Sequence, residues 1–484
     1  MRRLIFPEVM LQTEKKYFET TGTPSAVLME HAARVLADVV LQNYPAAQNI
    51  YIACGPGGNG GDGYACARKL QHAHKTCYII APVQPKSADA ILNRDRAVEI
   101  NKPIFDSADS LPAPDLWIDC LFGTGLSRAP AGESARLIKR MNADGVPVIA
   151  ADIPSGLNGR TGAAFDPCVC ADITVAFQLA KTGHLLQDGL DLCGRLIITD
   201  IGFSDEIFDH TIQQFQSQDI ERILTPRKRN IHKGKCGHLL IVAGSLGMAG
   251  AAALCAKAAL RSGTGLVTIA CPENIIPILQ TLAPQAMCLP LTEENLPAAL
   301  SGKTAVAVGP GLTQKFPAKL LKLLLKSKLP MVIDADALNI LAVHQDLIPL
   351  LKSHHILTPH PGEASRLLER PCGDPFSDAA ELAQSGATIV LKGASRVICS
   401  ADETYISASG CCGMARGGSG DVLTGILGAL LAGKPACSYA QTAAAACELH
   451  GQAGELAQAK YGSYAMNSAD IIEFLPEVFK RYAD

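Results

Sequence analysis

Residues 49–63, NIYIACGPGGNGGDG, decide how the first half of this chain folds. The apolar run over 49–54 predicts a buried strand, and the glycine-rich loop after it leads into a helix predicted over 63–72. Glycines allow backbone NH groups to approach an anion, and the start of a helix favours negative charge. The segment therefore predicts a ligand-binding edge of an α/β sheet.

The alternation of strands and helices continues on both sides of this segment. Amphipathic helices are predicted over 24–45 and 88–101. Further strands are predicted over 78–81, 116–120, 146–152, 172–177 and 195–201. Such alternation is typical of a mostly parallel sheet with helices on both faces, so we expect a Rossmann-like three-layer sandwich.

After residue 201 the chain becomes polar and irregular, which predicts a domain boundary between about 210 and 230. The α/β pattern then resumes, with helices predicted over 250–262 and 421–431. The strands predicted in this half lie over 238–243, 265–270, 304–308, 331–334, 355–357, 388–391 and 396–400. We therefore expect two domains, 1–214 and 220–484.

The composition narrows the possible partners and surroundings. Lys and Arg number 43 against 46 Asp and Glu, so a net charge of -3 offers no basic field for nucleic acid or anionic lipid. No apolar stretch reaches the roughly 18 residues that a membrane helix needs. The 17 cysteines are odd in number and form no CxxC pair, which favours reduced, structural thiols. We expect a cytoplasmic protein that binds neither nucleic acid nor membranes.

The glycine loop does not predict an ordinary dinucleotide site. Gly55, Gly57 and Gly60 satisfy the GxGxxG spacing, but residues 78–86, YIIAPVQPK, lack the acidic residue expected about 20 positions later. A tight turn that merely needs glycine is the alternative, although it does not explain Asn59 and Asp62 within the loop.

Three predicted strands end beside polar side chains, at Asn59 and Asp62, at Asp119 and at Asp152. Because the carboxyl ends of parallel strands share one edge, these groups are expected to converge on one cleft. Asn59, Asp119 and Ser155 offer hard oxygen ligands, which suit a monovalent or hard divalent cation. Residues 123–129, GTGLSRA, form a second turn suited to phosphate. Asp152 is an acid–base candidate, or alternatively a turn cap.

The motifs GPGGNGGDG, DCLFGTGLSR and ADIPSGLNG, preceded by LMEHAA, resemble the epimerase domain of the NAD(P)H-hydrate repair enzymes. That domain interconverts the R and S epimers at C6 of hydrated NADH or NADPH. The resemblance implies that Asn59, Asp119 and Ser155 hold potassium and that Asp152 contacts the reacting nicotinamide. The other residues that would bind the hydrate are Gly58, Asn59, Gly60, Gly61, Asp62, Gly123, Thr124, Gly125, Leu126, Ser127, Arg128 and Ala129. Gly58 departs from the asparagine that the family usually carries there.

In the second half, residues 417–421, GGSGD, begin a predicted helix. Successive glycines at a helix start form an anion-binding concavity, and Asp421 can take a proton from a hydroxyl or, alternatively, cap the helix. Strand ends are also predicted at residues 308–311, 334–338, 358–363 and 392–396. There is no phosphate-binding GxxxxGK[ST] loop, because Pro297 stands where its first glycine would be.

These elements, with residues 232–267, resemble the ribokinase-like dehydratase domain of the same repair enzymes. The resemblance implies removal of water from the S hydrate at the expense of ADP or ATP, with ADP favoured. Asp421 would be the base that activates the hydrate hydroxyl for phosphorylation, and magnesium would accompany the nucleotide. Hydrate contacts would come from Ala252, Gly311, His360 and Asp421. Nucleotide contacts would come from Lys392, Gly393, Ala394, Ser395, Arg396 and Gly420.

Two other functions are compatible with parts of the sequence: a sugar or vitamin kinase fused to a nucleotide-binding module, and a ligand sensor that has lost its chemistry. Neither requires all the motifs together, and Asp152 and Asp421 argue against the sensor. The motifs favour a bifunctional isomerase and lyase of metabolite repair, which we expect to form a homo-oligomer. The chain departs from the family at Cys411 and Cys412, where Asn-Pro is usual, and at Gln285, where Glu is usual.

Overall fold

The computed structural model of the protein describes residues 1–100, 103–204, 207–208, 211–224 and 226–483. The chain forms two compact units: an N-terminal unit, Arg3–Ile212, and a C-terminal unit, Gln213–Asp484, which also includes Met1–Arg2. Asn101, at the end of one predicted helix, lies outside the described residues. So do His210 and Thr225, in the predicted boundary interval, and Asp484.

The N-terminal unit is built on a parallel sheet of seven strands, in the order β4-β3-β2-β5-β6-β7-β9. The strands of the whole unit, seven in this sheet and two outside it, are β1 (Arg2–Ile5), β2 (Asn49–Cys54), β3 (Thr76–Ile80), β4 (Ile104–Phe105), β5 (Leu116–Cys120), β6 (Val148–Ala151), β7 (Ile173–Phe177), β8 (Ala180–Lys181) and β9 (Arg195–Thr199). Its helices are α1 (Pro7–Thr21), α2 (Ser25–Asn43), α3 (Gly58–His72), α4 (Ala88–Glu99), α5 (Gly132–Ala143) and α6 (Gly189–Leu192). Outside the main sheet, β1 pairs in parallel with β8.

Helices cover both faces of this sheet. Successive residues of β2 point to opposite faces, and all are buried because each face has its own core. Ile50 and Ile52 belong to a cluster that includes α2 and α3, whereas Tyr51 and Ala53 belong to a cluster that includes α5. The predicted three-layer α/β arrangement is confirmed for this unit.

The C-terminal unit contains a sheet with the strand order β13-β12-β11-β14-β15-β16-β17-β18-β19-β10. Its strands are β10 (Ile212–Gln214), β11 (His238–Val242), β12 (Leu266–Cys271), β13 (Met287–Pro290), β14 (Ala305–Val308), β15 (Met331–Ile333), β16 (His355–Leu357), β17 (Thr388–Leu391), β18 (Arg396–Cys399) and β19 (Thr404–Ser407). Its helices are α7 (Ser217–Ile220), α8 (Ala249–Arg261), α9 (Ile276–Leu282), α10 (Leu296–Leu300), α11 (Ala318–Leu325), α12 (Asp336–Val343), α13 (Pro361–Leu368), α14 (Pro375–Ala383), α15 (Ser419–Ala432), α16 (Tyr439–Tyr461) and α17 (Ser468–Ala483). The strands pair in parallel except where β18 meets β17 and β19.

Small residues let α8 and α15 pack closely in this unit. A Cβ atom at Gly425 would lie only 2.2 Å from the carbonyl oxygen of Cys255 on α8. Leu239 and Ile241 of β11 belong to the same core cluster as these helices, while Leu240 and Val242 are fully buried on the opposite face. The α15 helix, which begins with the predicted anion-binding glycines, is therefore packed closely against α8 and the sheet.

One predicted boundary in the N-terminal unit is wrong in an informative way. Residues 55–63 are predicted as a loop, but α3 already begins at Gly58. Glycine disfavours helix because of its backbone entropy, yet here it is needed for close packing. A Cβ atom at Gly60 would lie 1.9 Å from the Gly55 carbonyl oxygen, and one at Gly63 would lie 2.7 Å from Cys54 Sγ. Asn59 and Asp62 are therefore fixed on a helix instead of a loop.

No helix within the described ranges is both long enough and apolar enough to cross a membrane.

Candidate active sites

The N-terminal unit contains a cavity of about 540 Å3 at the carboxyl ends of β2, β5 and β6. The predicted hydrate-binding residues in its lining are Gly58, Asn59, Asp62, Gly123, Thr124, Gly125, Leu126 and Asp152. Gly60 and Gly61 lie in α3, where added side chains would meet Gly55 and Met29. Ser127, Arg128 and Ala129 continue the second turn and are exposed. The structure thus brings most of the predicted set together around one space.

The three predicted cation ligands lie beside this cavity. Ser155 donates to Asp119 twice, from its hydroxyl to Oδ1 at 2.7 Å and from its backbone NH to Oδ2 at 2.7 Å. Burial raises the pKa of Asp119 to about 6, against the opposing effect of the Ser155 hydrogen bonds. The Asn59 side chain lies next to Gly123, and its buried Nδ2 has no hydrogen-bond partner among the described residues. The amide oxygen of Asn59, the Ser155 hydroxyl and the buried Asp119 carboxylate are oxygen donors of the kind that a hard cation takes.

Asp152 is held in an unusual backbone conformation, with φ at 61°. Its carboxylate forms an ion pair with Lys181 of β8 and accepts a hydrogen bond from the Phe177 backbone NH at 3.2 Å. His184 Nε2 lies 2.9 Å from the Asp152 carbonyl oxygen, and burial lowers the pKa of His184 to about 4. A positive φ in a non-glycine residue costs energy and often marks a functional position. The salt bridge and the strained turn together fix this carboxylate at the cavity.

Sequence patterns did not identify Lys181 and Glu14, which also line the cavity. Only 2 % of the Lys181 side chain is exposed. The only feature of the sequence that could have indicated its place in the site is a charged residue directly after an apolar run. Glu14 lies on α1, on the same helix face as Leu11 and Phe18. Burial raises the pKa of Glu14 to about 7, with Lys181 opposing and Asp152 adding to that shift. Burial also raises the pKa of Asp62 well above its usual range, with Asp152 and Glu14 adding to the effect.

In the C-terminal unit, the Asp334 side chain forms hydrogen bonds with residues at the carboxyl ends of other strands. It directly follows β15 and is almost fully buried. Its Oδ1 accepts hydrogen bonds from Lys392 Nζ and Thr358 Oγ1, both at 2.8 Å, and its Oδ2 accepts one from Thr424 Oγ1 at 2.7 Å. Burial by itself would raise the pKa of Asp334, but the charge of Lys392 and the hydrogen bonds from Lys392, Thr424 and Thr358 together outweigh that effect and the pKa is lowered. The predicted strand-end segments at 334–338, 358–363 and 392–396 therefore meet here.

Asp421 lies in the first turn of α15, next to this cluster. Burial raises the pKa of Asp421 to about 7, with the negative charge of Asp334 adding to the shift and Lys392 opposing it. A Cβ atom at Gly420 would lie 3.6 Å from Lys392 Nζ and 3.7 Å from Asp334 Oδ2. Three predicted residues, Lys392, Gly420 and Asp421, are thus neighbours at the start of one helix. A carboxyl group that titrates near neutral pH can act as a general base.

The remaining predicted residues of this unit have varied surroundings. His360 caps α13, because its Nδ1 accepts hydrogen bonds from the backbone NH groups of Gly362 and Glu363 at 3.0 Å and 3.3 Å. Gly311 has φ at 64°, which favours glycine. Ala252 is fully buried in α8.

The hairpin between β17 and β18 carries the other predicted nucleotide contacts. Gly393 and Ala394 are exposed at its turn, whereas Ser395 and Arg396 are buried. The Arg396 guanidinium donates to the Ser409 carbonyl oxygen. Arg396 therefore binds the protein's own backbone, while Gly393 and Ala394 are exposed at the turn.

Both halves of the chain match known families. Residues 25–183 match the family described as YjeF-related protein N-terminus, and residues 239–477 match the family described as NAD(P)H-hydrate dehydratase. The chain is 36% identical over 479 residues to the bifunctional NAD(P)H-hydrate repair enzyme Nnr of Escherichia coli, covering 96% of this chain and 92% of that protein. It is also 36% identical over 497 residues to Nnr of Moorella thermoacetica, covering 94% of this chain and 93% of that protein. Among solved structures, hypothetic protein SMU.573 from Streptococcus mutans aligns with a TM-score of 0.50 and 25% identity, covering 56% of this chain and 100% of that one.

Proposed function

The chain belongs to the family of bifunctional NAD(P)H-hydrate repair enzymes, and from this premise we propose that it repairs hydrated NADH and NADPH in two reactions, one in each unit. The N-terminal unit interconverts the R and S hydrates, and the C-terminal unit removes water from the S hydrate at the expense of ADP or ATP. The observation that carries the proposal is the placement of Asp421 at the start of α15, beside Gly420 and Lys392. A base, an anion-binding helix start and a cation stand together there, as phosphorylation of a hydroxyl requires.

In the epimerase reaction, the cavity of the N-terminal unit receives the hydrated nicotinamide. Phe177, Phe203 and Leu28 give its wall an apolar surface suited to the ring, and the glycine turns at 58–62 and 123–126 are suited to phosphates. Asp152, fixed by Lys181 and by the Phe177 backbone NH, contacts the reacting nicotinamide. The ion pair of Asp152 with Lys181 therefore contributes to the reaction mainly by orienting C6 of the nicotinamide relative to the Asp152 carboxylate.

Asn59, Asp119 and Ser155 are the residues that would hold potassium. The burial of the Asp119 carboxylate supports this assignment, since a cation would supply the opposite charge that stabilises a buried carboxylate. A bound potassium ion would supply positive charge beside the phosphate-binding turns. The three residues would then position the start of α3 and the 123–126 turn relative to each other.

In the dehydratase reaction, Asp421 takes the proton from the C6 hydroxyl of the S hydrate, whose oxygen then attacks the terminal phosphoryl group of ADP or ATP. The C6–O bond then breaks and phosphate leaves with that oxygen, while C5 loses a proton, so that the C5–C6 double bond of the reduced nicotinamide is restored. The nucleotide remains as AMP from ADP or as ADP from ATP. Backbone NH groups at the start of α15 and the Lys392 ammonium stabilise the negative charge on the transferred group. Magnesium bound with the nucleotide would neutralise the remaining phosphate charge.

The test is to supply the purified protein with a mixture of R and S hydrates, with ADP, ATP or no nucleotide in separate samples. Reduced-nicotinamide absorbance should recover only with a nucleotide, and both epimers should be consumed. Chiral chromatography of the remaining hydrate follows the epimerase without nucleotide. Consumption of nucleotide only when a sugar or vitamin is added would contradict the proposal and indicate a kinase.

A further inference from the structure

The N-terminal segment that carries α1 is fastened to the strand that carries Lys181. Strand β1 pairs in parallel with β8, with Ile5 opposite Lys181. The Arg160 guanidinium lies 4.2 Å above the centre of the Phe6 ring and forms an ion pair with Glu8. Because these contacts hold both the start of the segment and the first turn of α1, this helix forms a positioned wall of the cavity.

Glu14 is the acidic residue on the cavity face of α1. Leu11 and Phe18, one turn before and one turn after it, line the same cavity. Within the part of the chain that the structure describes, its carboxyl group forms no hydrogen bond or ion pair. The charged groups on neighbouring elements that shift the pKa of Glu14 are Lys181 on β8 and Asp152 after β6. Asp62 on α3, which also lines the cavity, interacts electrostatically with Glu14 and with Asp89 on α4.

Asp119 and Asp152, the carboxylates assigned to the cation site and to the nicotinamide, already have partners. Asp119 accepts hydrogen bonds from Ser155, and Asp152 accepts from Lys181 and the Phe177 backbone. A group that exchanges protons with substrate must be free to change its charge without breaking such a pair. Glu14 meets this condition and lines the cavity. Asp62 also lines the cavity, but burial raises the pKa of its carboxyl group well above the usual range, so it releases its proton less readily.

We propose that Glu14 is a further catalytic residue of the epimerase reaction, which gives a proton to the departing C6 hydroxyl and recovers one when water returns. This inference rests on the proposed epimerase function of the N-terminal unit. It assigns separate tasks to the two carboxyl groups: Asp152 orients the nicotinamide ring, and Glu14 carries the proton.

The step balances without an oxidant or reductant. The Glu14 carboxyl proton passes to the C6 hydroxyl oxygen, the C6–O bond breaks with its electron pair moving to that oxygen, and water leaves. The lone pair on N1 forms a double bond to C6, which leaves a planar cation beside the Glu14 carboxylate. Water then adds to the opposite face of C6 and the N1 lone pair is restored. The proton released by that water passes through solvent water to Glu14, which stands on the face that the first water left.

The protonation state required of Glu14 sets the pH dependence. Burial raises the pKa of Glu14 to about 7, so its carboxyl group is protonated below that pH and can donate. Above pH 7 the proton is lost, and the enzyme-catalysed rate of epimerisation should fall. Replacing Glu14 with glutamine keeps the shape of the side chain but removes this titration.

The experiment compares wild type with Glu14→Gln, Glu14→Asp and Glu19→Gln, using full-length protein and an enriched R hydrate, with a protein-free sample to subtract spontaneous epimerisation. General acid–base groups contribute about 100-fold to 10000-fold, so E14Q should lower kcat by at least about 100-fold with little change in KM, and its residual rate should not fall above pH 7. E14D should retain part of the rate and the fall with pH. E19Q, at an exposed position on α1 that forms an ion pair with Lys15, should match wild type.

A wild-type epimerisation rate in E14Q would overturn the inference alone. So would a slow E14Q whose rate still falls above pH 7, because another group would then be titrating. Dehydration of the S hydrate and the thermal unfolding temperature, measured on the same preparations, should be unchanged. A wild-type protein that interconverts no epimers would overturn the proposed function as well.

Discussion

Both units place a lysine among carboxyl groups at the carboxyl ends of their strands, but they pair it with carboxylates of different roles. In the N-terminal unit Lys181 binds Asp152, the residue proposed to contact the nicotinamide. In the C-terminal unit Lys392 binds Asp334, and the proposed base Asp421 stands beside that pair. In each unit a second carboxyl group, Glu14 or Asp421, has a pKa raised to about 7 by burial. We therefore expect the lysine-paired aspartate to be structural or orienting, and the neighbouring carboxyl group, which has no ion pair among the described residues, to carry the proton.

The largest effect expected from this comparison follows from removing the base of the C-terminal unit. Asp421→Asn should lower the dehydration rate by about 100-fold to 10000-fold, because the amide cannot accept the hydroxyl proton. Epimerisation should be unchanged, since it takes place in the other unit. Asp402→Asn, in an exposed turn of the C-terminal unit, is the matched control. Loss of both activities in D421N would break the assignment of one reaction to each unit.

The lysine-paired aspartate of the C-terminal unit should matter most for stability. Asp334→Asn leaves Lys392 without its 2.8 Å partner, and breaking a buried ion pair costs about 3 to 5 kcal/mol. The free energy of unfolding of the C-terminal unit, measured with urea, should fall by this amount relative to D402N. An unchanged urea midpoint would mean that the pair does not hold the strand ends together.

The two reactions should respond to pH in opposite directions. Asp421 acts deprotonated as a base, so dehydration should rise as pH increases through about 7, the pKa to which burial raises that carboxyl group. Glu14 acts protonated, so epimerisation should fall over the same range. Outside the titration range the declining limb of each profile should change about tenfold per pH unit. Profiles of kcat for both reactions on one preparation would check this, and parallel profiles would remove the distinction between acid and base.

The smallest expected effect comes from the residue at the start of α3 that differs from the one usual in the family. Gly58→Asn restores the residue that the family usually carries, and a Cβ atom at this position has no neighbour within 4 Å. We expect KM of the epimerase to fall by no more than a few-fold, equivalent to about 1 kcal/mol for one added hydrogen bond, with kcat unchanged. A large loss of epimerisation would show that the glycine is required at the helix start.

Much of this arrangement is predictable because it is local in the sequence. The strands predicted over 49–54 and 116–120 are confirmed as β2 and β5, since short apolar runs bounded by turns are a strong signal for buried parallel strands. The family predicted from the motifs is confirmed by relatives that match nearly the whole chain. The convergence of Asn59, Asp119 and Ser155 follows from the shared edge of parallel strands.

The residues that the sequence did not reveal depend on contacts between distant segments. Lys181 gains its role from Asp152, 29 positions earlier in the chain. Glu14 reaches the cavity only because β1 pairs with β8 and brings α1 over the site. Asp334 lies in the sequence at a predicted strand end, but its hydrogen bonds with Lys392 and Thr424 require the folded sheet. The hydrophobic periodicity of the sequence predicts which residues are buried, but it does not predict which polar side chains come into contact.

The most direct test of the two-site account is the recovery of reduced nicotinamide from an equal mixture of R and S hydrates by Asp152→Ala, with ADP or ATP present. Wild type should consume both epimers rapidly. D152A should consume only the S half at the wild-type rate, and addition of D421N, which retains the epimerase, should restore recovery of the other half. Rapid consumption of both epimers by D152A alone would contradict the account.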